Sequence, residues 1–337
     1  MKKLPIRTRL ILGAVATAGF IAITAPACAQ HQDSIVNPEA NVVSEQTLLR
    51  QAPRIEGQID QPNERERVLI QPAGRLWDHF HEVTLHRFGA IVIVGMLAVL
   101  AGGYFVIGRL RITAGRSGRT LLRFTAFERF AHWLTAVSFV ILAISGLNIT
   151  FGKLLLLPLV GNEAFSAFSQ AAKYAHNYVS FSFVVGLTLI AVIFVKDNIP
   201  DRIDIEWLKR GGGFIRSRHA PARRFNAGEK LVFWGALAAG IALSVSGYLL
   251  LFPFYVTNIA GMQIAQVIHS LVAVLFVALI LAHIYIGTLG MEGAFEAMGT
   301  GEVDFNWARE HHDLWFEEQL AKTEVARRQL SGPIAPE

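Results

Sequence analysis

One cysteine, Cys28, occurs in 337 residues. That excludes an internal disulfide framework, a cysteine-held zinc site and an iron–sulfur cluster within this chain. Charge is also scarce: 17% of residues are charged against 53% hydrophobic, and the mean hydropathy is +0.41. This balance excludes a disordered or nucleic-acid-binding tail protein and argues against a soluble enzyme. The net charge of +5, from 31 basic and 26 acidic residues, is expected to lie on one side of a membrane.

Residues 1–29 have a basic start (Lys2, Lys3, Arg7, Arg9), an apolar run from Leu10 to Ile23, and small residues at Ala27-Cys28-Ala29 before Gln30. That pattern predicts a cleavable signal peptide with an A-x-A site. The apolar run is short for a span, at roughly 14 residues against about 20. Cleavage after Ala29 would leave a mature chain without cysteine. Residues 30–86 are polar, without a strong period, and read as an extracytoplasmic segment that folds poorly alone.

Charge-free stretches predict five spans: Phe88 to Gly108, Phe130 to Gly152, Tyr174 to Val195, and two near 231–252 and 264–288, divided by Pro253 and the Thr257-Asn258 region. The loop after the first span carries six Arg, and the loop after the third carries nine Lys or Arg. The intervening loops carry two and none. The two basic loops are therefore predicted to be cytoplasmic. That puts residues 30–86 outside, in agreement with the signal peptide, and returns the tail to the cytoplasm. A faint repeat at an offset of 101 aligns Glu128, Trp133, Ser145, Gly146 and Phe151 with Glu229, Trp234, Ser246, Gly247 and Phe252. It suggests a duplicated helical hairpin.

Histidines inside spans are costly and need a reason. The predicted topology sets His132 and His283 near the inner surface, and His176 and His269 near the outer one. His269 and His283 are fourteen residues apart. That spacing is about 1,400° of helix, within roughly 40° of whole turns, and a rise of about 21 Å. Both imidazoles then share one face, and two stacked haems, each held by two histidines, fit the arrangement. A lone buried histidine more often has a structural hydrogen bond. A proton relay would normally add Asp or Glu, and the five charge-free stretches contain none. Gly146, Gly186, Gly240, Gly247 and Gly287 could make room for a macrocycle or simply let helices pack closely. His79, His81 and His86 read as interfacial, His31 and His219 as loop residues, and His311 and His312 as exposed or partner-facing.

The chain from about Phe124 to Phe316 resembles the gamma subunit of respiratory formate dehydrogenase, a membrane cytochrome b. The resemblance rests on Phe127-Glu128-Arg129-Phe130-Ala131-His132-Trp133, Ser145-Gly146, Asn198-Ile199-Pro200-Asp201 with Asp204-Ile205 and Trp207, and Asn226-Ala227-Gly228-Glu229-Lys230 with Phe233-Trp234. It extends to His269, His283, Gly301-Glu302-Val303, Trp307-Ala308 and His311-His312. The first signal-like segment, the outer segment and the first span have no counterpart in that family's four-helix core.

The chain therefore reads as an all-α integral membrane protein of the bacterial inner membrane: a four-helix haem-binding transmembrane bundle, which the resemblance implies, plus one extra N-terminal transmembrane helix, which the charge-free stretches predict. The organisation would be a signal peptide (1–29), a periplasmic segment (30–86), a first transmembrane helix (87–109), a basic cytoplasmic loop (110–129), a dihaem core (130–290) and a cytoplasmic tail (291–337). The resemblance implies two haem b groups on His132, His283, His176 and His269. It also implies a quinone site, for menaquinone or ubiquinone, involving Asn226 and Gly228. The same Asn-x-Gly would equally serve as a helix cap and turn. The implied partners are a molybdopterin-containing catalytic subunit, which oxidises formate, and an iron–sulfur subunit that passes electrons inward. No nucleic acid is implied. A cytochrome b for a hydrogenase, thiosulfate reductase or other membrane oxidoreductase is the alternative, and a haem-free scaffold or transporter a third.

Overall fold

The computed structural model describes residues 56–58, 68–70, 74–212 and 220–330. The expected signal peptide, Cys28, His31 and His219 lie outside the described residues. Among the described residues, five helices are long and apolar enough to cross a bilayer: Phe80–Ile107, Ala126–Leu155, Leu157–Phe194, Ala227–Leu251 and Ile259–Gly290. They are the five spans expected, and the protein is a helical integral membrane bundle. The first four helices start before their charge-free windows, because charged and polar groups cap a helix end without breaking it.

In chain order, β1 (Glu56–Gln58) pairs antiparallel with β2 (Val68–Ile70). A short helix α1 (Gly74–His79) then passes through a π-helical turn, Phe80–Thr84, into α2 (Leu85–Ile107). The strand β3 (Thr120–Leu122) precedes α3 (Ala126–Leu155) and α4 (Leu157–Phe194). Next come α5 (Arg202–Lys209), α6 (Ala227–Leu251) and α7 (Ile259–Tyr285), which ends in a second π-helical turn, Ile286–Gly290. The tail holds α8 (Ala294–Gly299), β4 (Glu302–Asp304), α9 (Phe305–His311) and α10 (Asp313–Leu330).

The described residues divide into two compact units. One is Ser145–His176, and the other comprises 53–144 with 177–337. Within the first, the sequence suggested a loop between the second and third spans, yet α4 begins at Leu157. The one break is Gly161, whose φ of 80° and ψ of 170° lie outside the helical region and suit glycine. Lys173 and Glu163 interrupt the hydropathy there but not the helix. Asn148 donates from Nδ2 to Ser169 Oγ at 3.1 Å, tying the two helical arms together.

In the larger unit, α7 packs along α6 and α2. The Phe139, Phe183 and Phe276 rings meet in its centre, with Phe139 and Phe276 4.6 Å apart between centroids. Most of α2 presents Ile91, Val94, Val99, Phe105 and Val106 outward, the surface a lipid-facing helix should have. The loop before α3 and the tail after α7 look independent in sequence but form one structure. The strand β3 pairs antiparallel with β4, matching Leu121 to Val303. Glu310 accepts backbone N–H bonds from Thr113 and Ala114, and Ser117 donates twice to Asp304. Beneath this lid lies an apolar core that includes Phe124, Phe194, Phe233, Val303, Trp307 and Trp315.

Candidate functional site

Helix α3 starts with a reciprocal cap. Thr125 Oγ1 faces the Glu128 N–H at 3.4 Å, and Glu128 Oε2 accepts the Thr125 N–H at 2.7 Å. One turn further on stands His132. On α7, His283 stands at the last turn before the π-helical segment. Their ring centroids are 6.2 Å apart, with the rings inclined by 58°. Two imidazoles on one metal ion, at about 2.0–2.1 Å per metal–nitrogen bond and adding the ring radii, need roughly 6 Å. This pair therefore fits an iron held between two histidines. His283 is exposed, and a Cβ on Gly287, one turn beyond it, would meet nothing within 4 Å. His132 Nδ1 is buried without a hydrogen-bond partner among the described residues. Trp133 packs edge-on against His132 and donates its indole N–H to Met298 O at 2.9 Å.

The other two histidines each have a serine and a glycine from the repeat. In the smaller unit, Ser145 Oγ is 2.8 Å from His176 Nδ1, and a Cβ on Gly146 would lie 3.3 Å from His176 Cε1. In the larger unit, Ser246 Oγ is 3.0 Å from His269 Nδ1, and a Cβ on Gly247 would lie 3.2 Å from His269 Cε1. The glycines that could either make room for a macrocycle or let helices pack closely thus divide. Gly146 and Gly247 each lie against an imidazole. Gly186 and Gly240 instead permit close packing, against Thr135 and Leu187.

Beside the His132–His283 pair is a polar network. Arg123, whose side chain is 3% exposed, pairs with Glu229 at 2.9 Å. Arg224 pairs with Glu128 at 2.6 Å and with Asp197 at 2.7 Å. The guanidinium of Arg123 lies over Phe124 and Trp307. His311 and His312 do not have the exposed position suggested by their polar context. His312 is 1% exposed, hydrogen-bonded through Nδ1 to Arg223 O at 2.8 Å, with Nε2 3.7 Å from Glu229. The reason is that α9 and α10 fold back onto the segments before α3 and before α6. Burial, then the Arg123 charge, push the His312 pKa down to about 3. His311 is lowered too, again chiefly by burial.

Asn226 caps α6: its Oδ1 accepts the Glu229 N–H at 3.0 Å, and Glu229 returns the bond to the Asn226 N–H. Gly228 lies against Trp207, where a Cβ would be 3.2 Å from the indole. The Asn198-Ile199-Pro200-Asp201 segment is fixed just below. Trp234 donates to Asn198 O, and Lys230, 5% exposed, donates to Ile199 O and Asp204. Asp201 caps α5. The two segments that looked merely basic therefore each hold a cation inside the fold, Arg123 in the first and Lys230 in the second.

The repeat is longer than the stretch from Glu128 to Phe151 and its copy. Arg123-Phe124-Thr125-Ala126 and Arg224-Phe225-Asn226-Ala227 continue it at the same offset of 101. The repeat thus reaches back past Glu128 to include the two arginines. The serines were visible in that alignment, but their contact with histidines on other helices was not.

Residues 123–301 match the family described as prokaryotic cytochrome b561. The cytochrome b556(fdo) subunit of formate dehydrogenase from Escherichia coli (strain K12) is 31% identical over 209 residues, covering 61% of this chain and 96% of the relative. The nitrate-inducible cytochrome b556(Fdn) subunit of the same strain is 27% identical over 220 residues, covering 64% and 98%. The cytochrome b556 subunit of formate dehydrogenase from Haemophilus influenzae is 26% identical over 211 residues, covering 60% and 86%.

Proposed function

Since the chain belongs to the prokaryotic cytochrome b561 family, we propose that it is the membrane cytochrome b subunit of a formate dehydrogenase complex. In this reading it conducts electrons from an iron–sulfur subunit through two b-type haems to quinone. Formate is oxidised on a molybdopterin-containing partner. The observation that carries the reading is the facing of His132 and His283 at 6.2 Å, in a chain that matches 96% of a formate dehydrogenase subunit. Haem b, when bound, supplies a one-electron iron couple.

The chain's own residues hold and orient that group. His132 and His283 form one ligand pair near the cytoplasmic surface. His176 and His269 are assigned to the second, near the periplasmic surface, by span order and by resemblance. Trp133, fixed by Met298, keeps the His132 ring from turning. Neutral imidazoles are required for ligation. Asn226 and Gly228 are assigned to the quinone end, where the amide of Asn226 and a main-chain N–H can donate to a carbonyl. The basic loops lie inside and residues 30–86 outside. Inward electron movement then works against about 2.3 kcal/mol per electron per 100 mV.

Purification from native membranes tests the reading. It should recover the two partner subunits and about two b-type haems per chain. His283→Ala should abolish quinol formation while formate oxidation by an artificial dye continues. Quinone reduction unchanged in that variant would remove the inner haem from the scheme. Recovery of hydrogenase subunits in place of a molybdopterin enzyme would assign the chain to another complex.

A further inference from the structure

The two Ser-Gly dipeptides of the repeat, Ser145-Gly146 and Ser246-Gly247, meet His176 and His269 in the same way. In both, the serine oxygen approaches Nδ1, at 2.8 and 3.0 Å. In both, the glycine Cα faces ring atom Cε1. Two serines on different helices, each within hydrogen-bond reach of a different histidine, point to a shared use.

The hydrogen on Ser246 decides what that use is. Its hydroxyl donates to Ala242 O at 2.7 Å. Having spent its one proton there, Oγ can only accept from His269. Nδ1 of His269 must therefore carry the hydrogen, and the ring lone pair lies at Nε2. A metal-bound histidine whose other N–H is held by an oxygen acceptor is fixed in tautomer and orientation, and is a stronger electron donor to the metal. Gly247 adds to this by leaving room for the ring to lie on the helix. His132 differs, since its Nδ1 has no acceptor among the described residues.

We propose that Ser145 and Ser246 are positioning residues for His176 and His269. Each fixes the ligand tautomer with Nε2 toward iron and lowers the reduction potential of the haem its histidine holds. The proposal rests on the reading of these histidines as haem ligands. A donor ligand stabilises ferric iron, so this haem sits below the one on His132 and His283. The serines thereby make electron flow from the outer to the inner position downhill.

Redox titration and electron paramagnetic resonance of the purified membrane complex test the idea. In Ser246→Ala, two haems should remain, one midpoint potential should rise, and the gap between the two should narrow. The resonance of that same low-spin haem should shift. Ser246→Thr keeps the hydroxyl and should restore both. Ser145→Ala should shift the midpoint potential of the haem that His176 holds in the same direction. Unchanged potentials and spectra in Ser246→Ala, with haem retained, would overturn the proposal. So would loss of haem that Ser246→Thr fails to restore, since that marks simple packing; loss that it does restore supports the hydroxyl. His269→Ala separates the premise: a variant that still holds two haems would refute ligation by His269 itself. Loss of one haem there, with no shift in Ser246→Ala, would refute only the serine's role.

Discussion

Arg123 and Arg224 each donate from Nη2 to the other's main-chain carbonyl, at 2.7 and 3.0 Å. They stand 101 positions apart, and each guanidinium pairs with the glutamate of the other copy: Arg123 with Glu229, Arg224 with Glu128. The two halves of the repeat thus exchange arms around a local two-fold relation. Arg123 is buried, so removing it strands a carboxylate and two aromatic faces. Arg123→Ala should destabilise the protein by about 3 kcal/mol or more. Arg116→Ala, at a half-exposed pair with Glu296, should cost about 0–1 kcal/mol. Thermal unfolding of the detergent-solubilised protein measures both. Equal costs would show that the exchange has no special weight.

Two glycines should respond differently to alanine. A Cβ on Gly186 would meet Thr135 Oγ1 at 2.5 Å and two Thr135 backbone atoms at 3.0 Å. Backbone cannot yield, so Gly186→Ala should cost about 1–3 kcal/mol, and Thr135→Ala should not rescue it. A Cβ on Gly240 meets only the Leu187 side chain, at 2.6 Å. There, Leu187→Ala should recover part of the loss. Rescue of Gly186→Ala by Thr135→Ala would show that the helices can separate.

The spans were legible because about twenty uncharged residues in a row have few other uses. That His132 and His283 share one level was legible for a related reason: span order sets which helix ends lie together. What hydropathy could not show is where a helix continues through charge. Lys173 and Glu163 lie inside α4, and Glu229 belongs to the first turn of α6. Nor could it show burial of Arg123, Lys230 and His312, because their partners come from distant segments, as the Arg123 guanidinium reaches Trp307, 184 positions away, only after the tail folds back. A single-sequence reading counts such residues as solvent-facing. Ser246 was visible as half of a repeat, but its function depends on Ala242 O and His269 together.

The central aromatic contact should carry much of the bundle's stability. Phe276 lies seven residues from both His269 and His283, on their face of α7, and packs 4.6 Å from Phe139. Its side chain is 3% exposed. Phe276→Ala removes a full ring and should cost about 3–5 kcal/mol, whereas Phe276→Leu should cost less. Comparing their unfolding temperatures with haem content checks whether the loss is one of packing.

His312 should impose an acid limit on stability. Its ordinary pKa is 6.5, and in the folded protein it is about 3. Above pH 6.5 both folded and unfolded chains hold it neutral, so it makes no difference. Below pH 6.5 the unfolded chain binds a proton that the folded chain excludes. Stability must then fall with pH, at up to about 1.4 kcal/mol per unit, until the folded pKa is reached. His311, also lowered by burial, adds to the same slope. Depressed carboxylates such as Asp304 contribute only further down, below the ordinary value of 3.8. His312→Asn keeps an N–H for Arg223 O but cannot titrate. Between pH 6.5 and about 4.5 it should flatten the fall in unfolding temperature without abolishing it, leaving the share of His311. A slope identical to the parent's would show that His312 charges freely in the folded state.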